Sequence, residues 1–259
     1  MIMTLPFDIE VTRQQKTDNT VMLVSHLYKS FGTNKVLADF NMTLHKEENV
    51  VVLGKSGSGK SVLIKCIIGL MYPDSGLIEV FGKNIPALSQ DELDKVRVHT
   101  GFLFQGNALY DSMTVRENLE FPLRRHTIKL QQPEVDNLVK EALEDVGLAY
   151  TIDMMPSELS GGMRKRIALA RTLILKPEII LYDEPTTGLD PITGKEIIAL
   201  MVGIRKKYHS SSLIISHDMA CVRSASDRIV MLIDGRCYAD GTYDELLRSN
   251  DSKVKEFFT

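Results

Sequence analysis

One stretch decides how this sequence folds, namely Gly54-Lys55-Ser56-Gly57-Ser58-Gly59-Lys60-Ser61. It fits the pattern G-x-x-x-x-G-K-[ST] at every fixed position. Its glycines let the backbone curl without Cβ clashes, so that N–H groups can face phosphate oxygens. Lys60 would then reach the β- and γ-phosphates of a nucleotide, and the Ser61 hydroxyl would ligate Mg²⁺. The alternative interpretation is a flexible loop of glycine and serine.

The segments that flank this loop favour phosphate binding. The loop follows an apolar run, Val50-Val51-Val52-Leu53, and a helix is expected to begin near Lys60, where its N-terminus adds partial positive charge. Residues 179–182 and 213–215 form two further runs with the same continuous apolar character. Strands of this kind are buried on both faces, as in a mostly parallel sheet with helices between its strands. The sequence therefore predicts an α/β fold.

The middle of the chain has a different pattern. Residues 133–150 and 160–176 are predicted helices, and the second has apolar residues every three or four positions before Pro177 closes it. A helical subdomain, about residues 106–165, is therefore expected to be inserted into a domain of residues 21–259. Residues 1–20 are expected to be a loose arm. Residues 228–239 predict a β-hairpin with its turn at Asp234-Gly235.

Composition sets limits on the function. The formal net charge of -3 over 259 residues gives no general argument for nucleic-acid binding, and we expect no nucleic-acid partner. No apolar run approaches the ~18 residues needed to span a bilayer, and the first residues do not form a signal peptide. A membrane role would therefore need a partner. The cysteines follow no metal or redox spacing and are interpreted as small apolar residues.

Two acids follow the apolar run of residues 179–182. Asp183 would hold Mg²⁺, and Glu184 would polarise the attacking water; because side chains alternate along a strand, the two acids can serve different roles at its tip. Taken alone, an Asp-Glu pair is more simply a solvated strand end. The phosphate loop earlier in the chain favours the functional interpretation.

The segment that defines the class is Leu159-Ser160-Gly161-Gly162-Met163. Ser160 is a good N-cap for the predicted helix that follows. Gly161 and Gly162 would allow a phosphate to approach the backbone at the positive end of that helix. The simpler interpretation is a helix cap with no ligand. The other motifs, and their order along the chain, decide between a phosphate-binding loop and a simple helix cap.

From residue 21 to residue 241 the chain resembles the nucleotide-binding domain of ABC ATPases. The matching motifs, in order, are Phe31 (the aromatic that stacks on adenine), residues 54–61 (Walker A), Gln105 (Q-loop), residues 159–163 (signature loop), Asp183 and Glu184 (Walker B), Gly188-Leu189-Asp190 (D-loop) and His217 (switch histidine). Met163 stands where glutamine is commoner, and Phe31 where tyrosine is. The resemblance implies a P-loop NTPase (RecA-like) core with a mostly parallel sheet, an antiparallel β subdomain and the inserted helical subdomain.

The resemblance also implies ATP and Mg²⁺ as cofactors and assigns residues to them. Catalytic roles fall to Lys60, Glu184 and His217, and Mg²⁺ ligation to Ser61, Gln105 and Asp183. Nucleotide contacts fall to Phe31, Gly54, Lys55, Ser56, Gly57, Ser58, Gly59, Lys60, Ser61, Val62, Gln105, Ser160, Gly161, Gly162, Met163 and Asp190. Two copies would enclose two ATP molecules, each copy supplying its signature loop and Asp190 to the other. Lys55 is either solvated or adds positive potential.

A finer resemblance is to the Mla (maintenance of lipid asymmetry) branch. It is carried by residues 105–115, 121–127, 155–164 and 190–193. That branch energises phospholipid movement between the two membranes of diderm bacteria. It implies transmembrane permease subunits, an MCE-domain substrate-binding protein and a peripheral location on the cytoplasmic face of the inner membrane. Because the sequence ends at Thr259, we do not extend to it the C-terminal exchange between subunits that this branch can show.

Apolar residues after Gln105 allow two interpretations, a groove for a short helix of the membrane partner or core packing. They are Leu109, Tyr110, Met113, Leu119 and Phe121. Arg124 and Arg125 are interpreted as a solvated basic pair rather than a lipid site. The histidines other than His217 are interpreted as incidental; they are His26, His45, His99, His126 and His209.

Other functions remain open at this point. An ABC transporter ATPase for another cargo, such as an amino acid or a drug, has the same core motifs. A non-transport ABC ATPase acting on DNA repair or the ribosome usually carries a long coiled coil or a second ATPase domain, and neither is found here. An unrelated P-loop kinase or GTPase would not explain residues 159–163.

Overall fold

Two sheets organise the protein, whose computed structural model describes residues 19–125 and 130–258. The strands are β1 (Thr20–Phe31), β2 (Asn34–His45), β3 (Asn49–Leu53), β4 (Ser75–Val80), β5 (Lys83–Asn84), β6 (Thr100–Leu103), β7 (Ile179–Asp183), β8 (Ser211–Ser216), β9 (Arg228–Ile233) and β10 (Arg236–Gly241). The helices are α1 (Lys60–Ile67), α2 (Gln90–Val98), α3 (Val115–Arg125), α4 (Gln132–Asp145), α5 (Gly161–Leu173), α6 (Pro191–Tyr208), α7 (Met219–Ala225), α8 (Tyr243–Leu247) and α9 (Ser252–Lys255). Short 3₁₀ turns lie at Ile85–Ala87, Ala149–Thr151 and Pro156–Glu158.

The larger sheet confirms the predicted fold class. Its strands run in the order β10-β9-β3-β8-β7-β6, with every pair parallel except β9 with β10. The smaller sheet has the order β2-β1-β4-β5 and is antiparallel. The parallel order places the carboxyl ends of β3, β7 and β8 along one edge, which is where ligands bind in open α/β sheets.

Two hydrophobic cores lie on opposite faces of the larger sheet. Strand β3 contributes to both, because Val51 and Leu53 pack with α3 to α7 while Val50 and Val52 pack with the smaller sheet and α1. All four side chains are at most 1% exposed. This alternation explains why the strand is continuously apolar, since neither face meets water.

The predicted helices differ from the observed ones at their ends. The helix predicted over residues 133–150 spans Gln132–Asp145, because Gly147 adopts a positive φ of 69° and ends it. The helix predicted over 160–176 spans Gly161–Leu173, with Ser160 as its N-cap and Lys176 at a φ of 49° beyond its end. The hairpin is as predicted, and both turn residues, Asp234 and Gly235, have the positive φ of a type I′ turn.

Helix α3 was not predicted from the sequence. Pro122 lies inside it and weakened the helical pattern. Its beginning carries a reciprocal cap, in which the Thr114 hydroxyl accepts from the Glu117 N–H while the Glu117 carboxylate accepts from the Thr114 N–H and hydroxyl. The spacing T-x-x-E at residues 114–117 was the signal that could have revealed it.

The predicted subdomain boundaries remain predictions. Helices α3 and α4 and the beginning of α5 lie between β6 and β7, within residues 106–165. Strand β1 begins at Thr20; the rest of the proposed arm, residues 1–18, lies outside the described residues, as does His126. Across the described ranges, no helix is both long and apolar enough to cross a membrane.

Candidate nucleotide site

The phosphate loop, residues 54–61, connects β3 to α1. Lys60 is 5% exposed, and its side chain curls back over the loop, where its Nζ donates to Gly54 O at 2.7 Å and to Lys55 O at 3.0 Å. These carbonyls hold the ammonium against the backbone at the beginning of the loop. A phosphate entering the loop would meet this charge together with the first N–H groups of α1.

The backbone of the loop requires glycine at two positions for different reasons. Gly57 has a φ of 78° and open space around a hypothetical Cβ, so its requirement is conformational. Gly59 has a φ of 102°, and a Cβ there would lie 2.7 Å from Val36 Cγ1. The Ser58 hydroxyl is buried with no hydrogen-bond partner among the described residues. An unpaired buried hydroxyl within this loop fits a site that binds a polar ligand.

The Ser61 hydroxyl and the Asp183 carboxylate face each other. Ser61 Oγ lies 3.4 Å from Asp183 Oδ1, although Asp183 is 122 residues further along the chain. Burial raises the pKa of the Asp183 carboxyl, and the adjacent Glu184 carboxylate raises it further. Such a site favours a divalent cation that would offset the negative charge. The pair supplies the hard oxygen ligands that Mg²⁺ prefers, so these residues fit the implied ion.

The Glu184 carboxylate lies between a lysine and a histidine. Its Oε1 is 3.5 Å from Lys60 Nζ, and its Oε2 is 2.8 Å from His217 Nδ1. Glu184 has a φ of 49°, the left-handed region that a non-glycine residue adopts at a cost of about 1–3 kcal/mol. A hydrogen bond from its N–H to Ile215 O, at 2.9 Å, ties this backbone to β8. The structure thus brings together the three residues assigned catalytic roles.

The side chain of Gln105 makes no hydrogen bond within the described chain, but its backbone is held firmly. Lys165 Nζ donates to Phe104 O at 3.3 Å and to Gln105 O at 3.0 Å. Lys165 is 1% exposed, and burial lowers the pKa of its ammonium to about 8 while Asp183 opposes that shift. Sequence reasoning missed this residue, because a lysine in a predicted helix is normally solvated.

The signature loop lines a different cavity from the phosphate loop. Ser160 caps α5, its Oγ accepting from Met163 N at 3.2 Å, and Asp190 caps α6, its Oδ1 accepting from Ile192 N and Thr193 N. The signature loop and the loop of residues 188–190 border a cavity of about 590 Å³, which Gly161 and Gly162 also line. A Cβ on Gly162 would lie 2.6 Å from Thr193 Cγ2, so close packing of the two loops requires glycine there.

The cavity beside the phosphate loop has a volume of about 430 Å³ and is lined by residues 55–58, residues 34–36 and the C-terminal residues Lys253, Glu256 and Phe257. The Lys55 side chain is 70% exposed, which agrees with the interpretation that it is solvated, but it also has a partner in the chain. Its Nζ lies 2.8 Å from Glu256 Oε2 and 5.9 Å from the Phe257 ring centroid. No local pattern indicates this pairing, because 201 residues separate the two partners.

Two other assigned residues lie at the edges of the site. Phe31 ends β1 with its ring 49% exposed and Lys29 Nζ 5.6 Å from its centroid. An exposed ring at this position is available for stacking. Val62 is half-buried on α1 and packs against the core beneath the smaller sheet. Its side chain therefore serves packing, and only its backbone could face a phosphate.

The apolar residues after Gln105 divide between core and surface. Leu119 is fully buried, and Leu109 packs against the same core. Tyr110 is 42% exposed, and its ring centroid lies 4.7 Å from that of Phe121. These two rings line a cavity of about 430 Å³ on the outer side of β6. Core packing therefore accounts for Leu109 and Leu119, whereas a groove for a helix of a membrane partner remains a prediction for Tyr110 and Phe121.

The basic pair lies at the surface in ion pairs, and the described histidines other than His217 also have partners away from the phosphate loop. Arg124 contacts Glu120, and Arg125 NH2 lies 3.6 Å from Asp94 Oδ2. Three histidines have carboxylate partners: His26 with Asp39, His99 with Glu178 and His209 with Glu47. His45 Nδ1 lies 3.4 Å from Thr20 Oγ1. None of these contacts involves the phosphate loop.

The geometry defines a P-loop nucleotide-binding protein of the α/β class: a glycine-rich loop between β3 and α1 faces an acid at the end of β7. Comparison with known proteins narrows this class. The family model described as "ABC transporter" matches residues 37–187, more than half of the chain. The chain belongs to the ABC transporter family.

Three similar proteins illustrate this membership. The probable ribonucleotide transport ATP-binding protein mkl of Mycobacterium tuberculosis is 40% identical over 90% of this chain and 65% of its own length. The intermembrane phospholipid transport system ATP-binding protein MlaF of Haemophilus influenzae is 38% identical over 90% of this chain and 88% of its own. A dimeric ATP-binding cassette in a post-hydrolysis state, bound to ADP and Pi, is 30% identical with a TM-score of 0.78, over 85% and 98% of the two chains. The chain thus spans about two thirds of the length of mkl.

Proposed function

We propose that this chain is the ATP-hydrolysing subunit of an ABC transporter and works as a pair of copies beneath a separate permease. One observation carries the proposal: the Glu184 carboxylate is held 2.8 Å from His217 Nδ1 and 3.5 Å from Lys60 Nζ, directly after the strand that presents Asp183 to Ser61. A carboxylate beside a phosphate lysine suits a residue that orients and polarises water for attack.

Each side chain would contribute one part of the chemistry. Lys60 would bind the β- and γ-phosphates, exchanging the carbonyls of Gly54 and Lys55 for phosphate oxygens. His217 would orient the Glu184 carboxylate and contact the γ-phosphate. Mg²⁺, for which Ser61, Asp183 and Gln105 are the proposed ligands, would neutralise charge on the phosphate oxygens when bound. Phe31 would stack on the adenine.

A second copy would complete the site. The phosphate loop and the signature loop of one chain line separate cavities, so a nucleotide in the first is open on the side away from Lys60. The N-terminus of α5, which Ser160 caps, would offer N–H groups and partial positive charge to that open side in the other copy. The similar cassette bound to ADP and Pi is a dimer, which supports this arrangement.

Phospholipid is the proposed cargo. The chain covers 88% of the length of the H. influenzae phospholipid transport protein but only 65% of mkl. The phospholipid transport protein therefore matches this chain more nearly from end to end. The partners then proposed are transmembrane permease subunits and an MCE-domain substrate-binding protein. The proposed location is the cytoplasmic face of the inner membrane.

The groove lined by Tyr110 and Phe121 is proposed to receive a short helix of the permease. It lies next to the segment that follows Gln105, so a helix seated there would sense the nucleotide through that segment. The Arg171 guanidinium carbon lies 5.9 Å from the Tyr110 ring centroid and gives the groove positive charge. An amphipathic helix with an acidic residue would complement it.

Ribonucleotide is a second candidate cargo, because mkl is 40% identical to this chain and its name assigns it that cargo. Capture from native membranes distinguishes the two. The tagged chain is purified in mild detergent, and mass spectrometry identifies the proteins and lipids that accompany it. A permease with an MCE-domain protein and phospholipid supports lipid transport. A permease with another substrate protein contradicts the lipid cargo, and ribosomes or DNA-bound factors without a membrane protein contradict transport.

A further inference from the structure

Helix α5 holds residues 104–108, here called the Gln105 segment, through two cations that take no part in the proposed hydrolysis. The first is Lys165, whose Nζ donates to Phe104 O and Gln105 O at 3.3 and 3.0 Å. It is 1% exposed. Burying an ammonium is costly unless its protons are paired, so these carbonyls are required partners rather than chance neighbours.

The second cation is Arg171, further along the same helix. Its NH2 donates to Asn107 O at 3.0 Å and its NH1 to Ala108 O at 2.7 Å. Asn107 and Ala108 have φ values of 64° and 54°, a conformation that costs non-glycine residues about 1–3 kcal/mol each. Such a backbone persists only where its surroundings hold it, and the guanidinium fork supplies two of the restraints.

Together the two side chains bind four carbonyls, of residues 104, 105, 107 and 108. The bonds cross 60 to 64 residues of chain, so they join two separate segments and do not stabilise the helix itself. The same helix begins at Ser160, at the signature loop. A rigid helix therefore connects the loop offered to a second copy with the backbone that carries Gln105.

We propose that Lys165 and Arg171 are positioning residues that make the Gln105 segment and the signature loop move as one unit. This inference rests on the proposed function, because it concerns how one nucleotide site affects the other. Displacement of Gln105 in one site shifts Ser160 in the opposite site through α5. Because such coupling is reciprocal, engagement of Ser160 by the second nucleotide also positions Gln105 in the first.

The test compares the full-length chain with Lys165→Met, Lys165→Arg and Arg171→Met, using Lys176→Met as the matched control. Lys176 lies just beyond α5 and pairs with Glu141 at the surface, away from the Gln105 segment. Steady-state ATP hydrolysis gives kcat and the Hill coefficient for ATP. The affinity for ADP shows whether the phosphate loop is intact, independently of the second copy. The thermal midpoint shows whether each variant is folded.

If the two cations position Gln105, Lys165→Met and Arg171→Met lower kcat about 10- to 100-fold and bring the Hill coefficient towards 1, while ADP binding is unchanged. Lys165→Arg, which keeps the charge, recovers most of the lost turnover. Arg171→Met provides the answer if the buried Lys165→Met does not fold. Wild-type kcat and cooperativity in the folded variants overturn the inference, whereas a wild-type chain that does not hydrolyse ATP overturns the proposed function instead.

Discussion

The Oε2 atom of Glu184 lies 2.8 Å from Nδ1 of His217, and this contact joins the ends of strands β7 and β8. The His217 ring remains 55% exposed, whereas the Glu184 side chain is only 10% exposed. The carboxylate is therefore fixed by the protein, whereas the imidazole remains open to solvent. The contact orients the carboxylate before any nucleotide binds.

Substitution of His217 by alanine tests this orienting role. The Lys60 contacts with Gly54 and Lys55 do not involve His217, so nucleotide affinity should stay within about twofold of wild type. Turnover should fall by roughly 10²-fold, because the Glu184 carboxylate loses its partner. Phosphate release and equilibrium binding of ATP measure the two effects, and unchanged turnover would count against the histidine.

Substitutions at Ser160 separate helix capping from dimer formation. Ser160→Ala removes the cap of α5 and should cost about 1 kcal/mol of stability. Ser160→Asp keeps the cap and should preserve the thermal midpoint, but it places a carboxylate where a phosphate of the second copy would lie. ATP-dependent dimerisation, followed by light scattering, should therefore be lost. A Ser160→Asp chain that dimerises normally would contradict the arrangement of two copies.

Substitution of Asp183 by asparagine should raise the thermal stability of the nucleotide-free chain but reduce the further stabilisation that Mg-ATP provides. Asp183 and Glu184 are adjacent and buried, and the raised pKa of Asp183 reflects that burial and repulsion. Neutralising it should raise the thermal midpoint of the nucleotide-free chain by about 2–4 °C, the shift that 1 kcal/mol produces in a domain of this size. Stabilisation by Mg-ATP should fall at the same time. Melting curves with and without Mg-ATP measure both, and an unchanged Mg-ATP effect would argue against Asp183 as a ligand.

Tyr110→Asp tests the proposed groove. A charge beside the Phe121 ring should weaken assembly with the permease, while ATP hydrolysis by the isolated chain stays near wild type. Tyr72→Asp is the control, since Tyr72 is 70% exposed and lies outside this groove. Co-purification from membranes is the measurement. Equal recovery of the permease with both variants would contradict the proposed groove.

Much of the fold followed from local patterns. Strands β3, β7 and β8 are continuously apolar because both faces are buried, and the turn at Asp234 and Gly235 has a strong residue preference. Each of these features depends on a few neighbouring residues. Helix α3 was missed because Pro122 obscured its periodicity, although the capping pair at Thr114 and Glu117 marked its beginning.

The composition of the candidate site was readable from the sequence, but its restraints were not. The ordered motifs assigned Ser61 and Asp183 to one site, and the folded chain brings their oxygens to within 3.4 Å of each other. The bonds from Lys165 and Arg171 to the Gln105 segment join residues 60 to 64 positions apart and involve backbone carbonyls. Carbonyls carry no sequence signal, so these contacts became visible only in three dimensions. The pairing of Lys55 with Glu256 was hidden for the related reason of distance along the chain.

Substitution of Glu184 by glutamine tests whether this carboxylate drives ATP hydrolysis. Glu178→Gln is the matched control, because Glu178 precedes the same strand and its carboxylate contacts His99 at the surface. We expect Glu184→Gln to lower turnover by roughly 10²–10⁴-fold and to elute with ATP as a stable dimer, while Glu178→Gln hydrolyses ATP at the wild-type rate. Full turnover in folded Glu184→Gln would contradict the assignment of this carboxylate and the mechanism built on it.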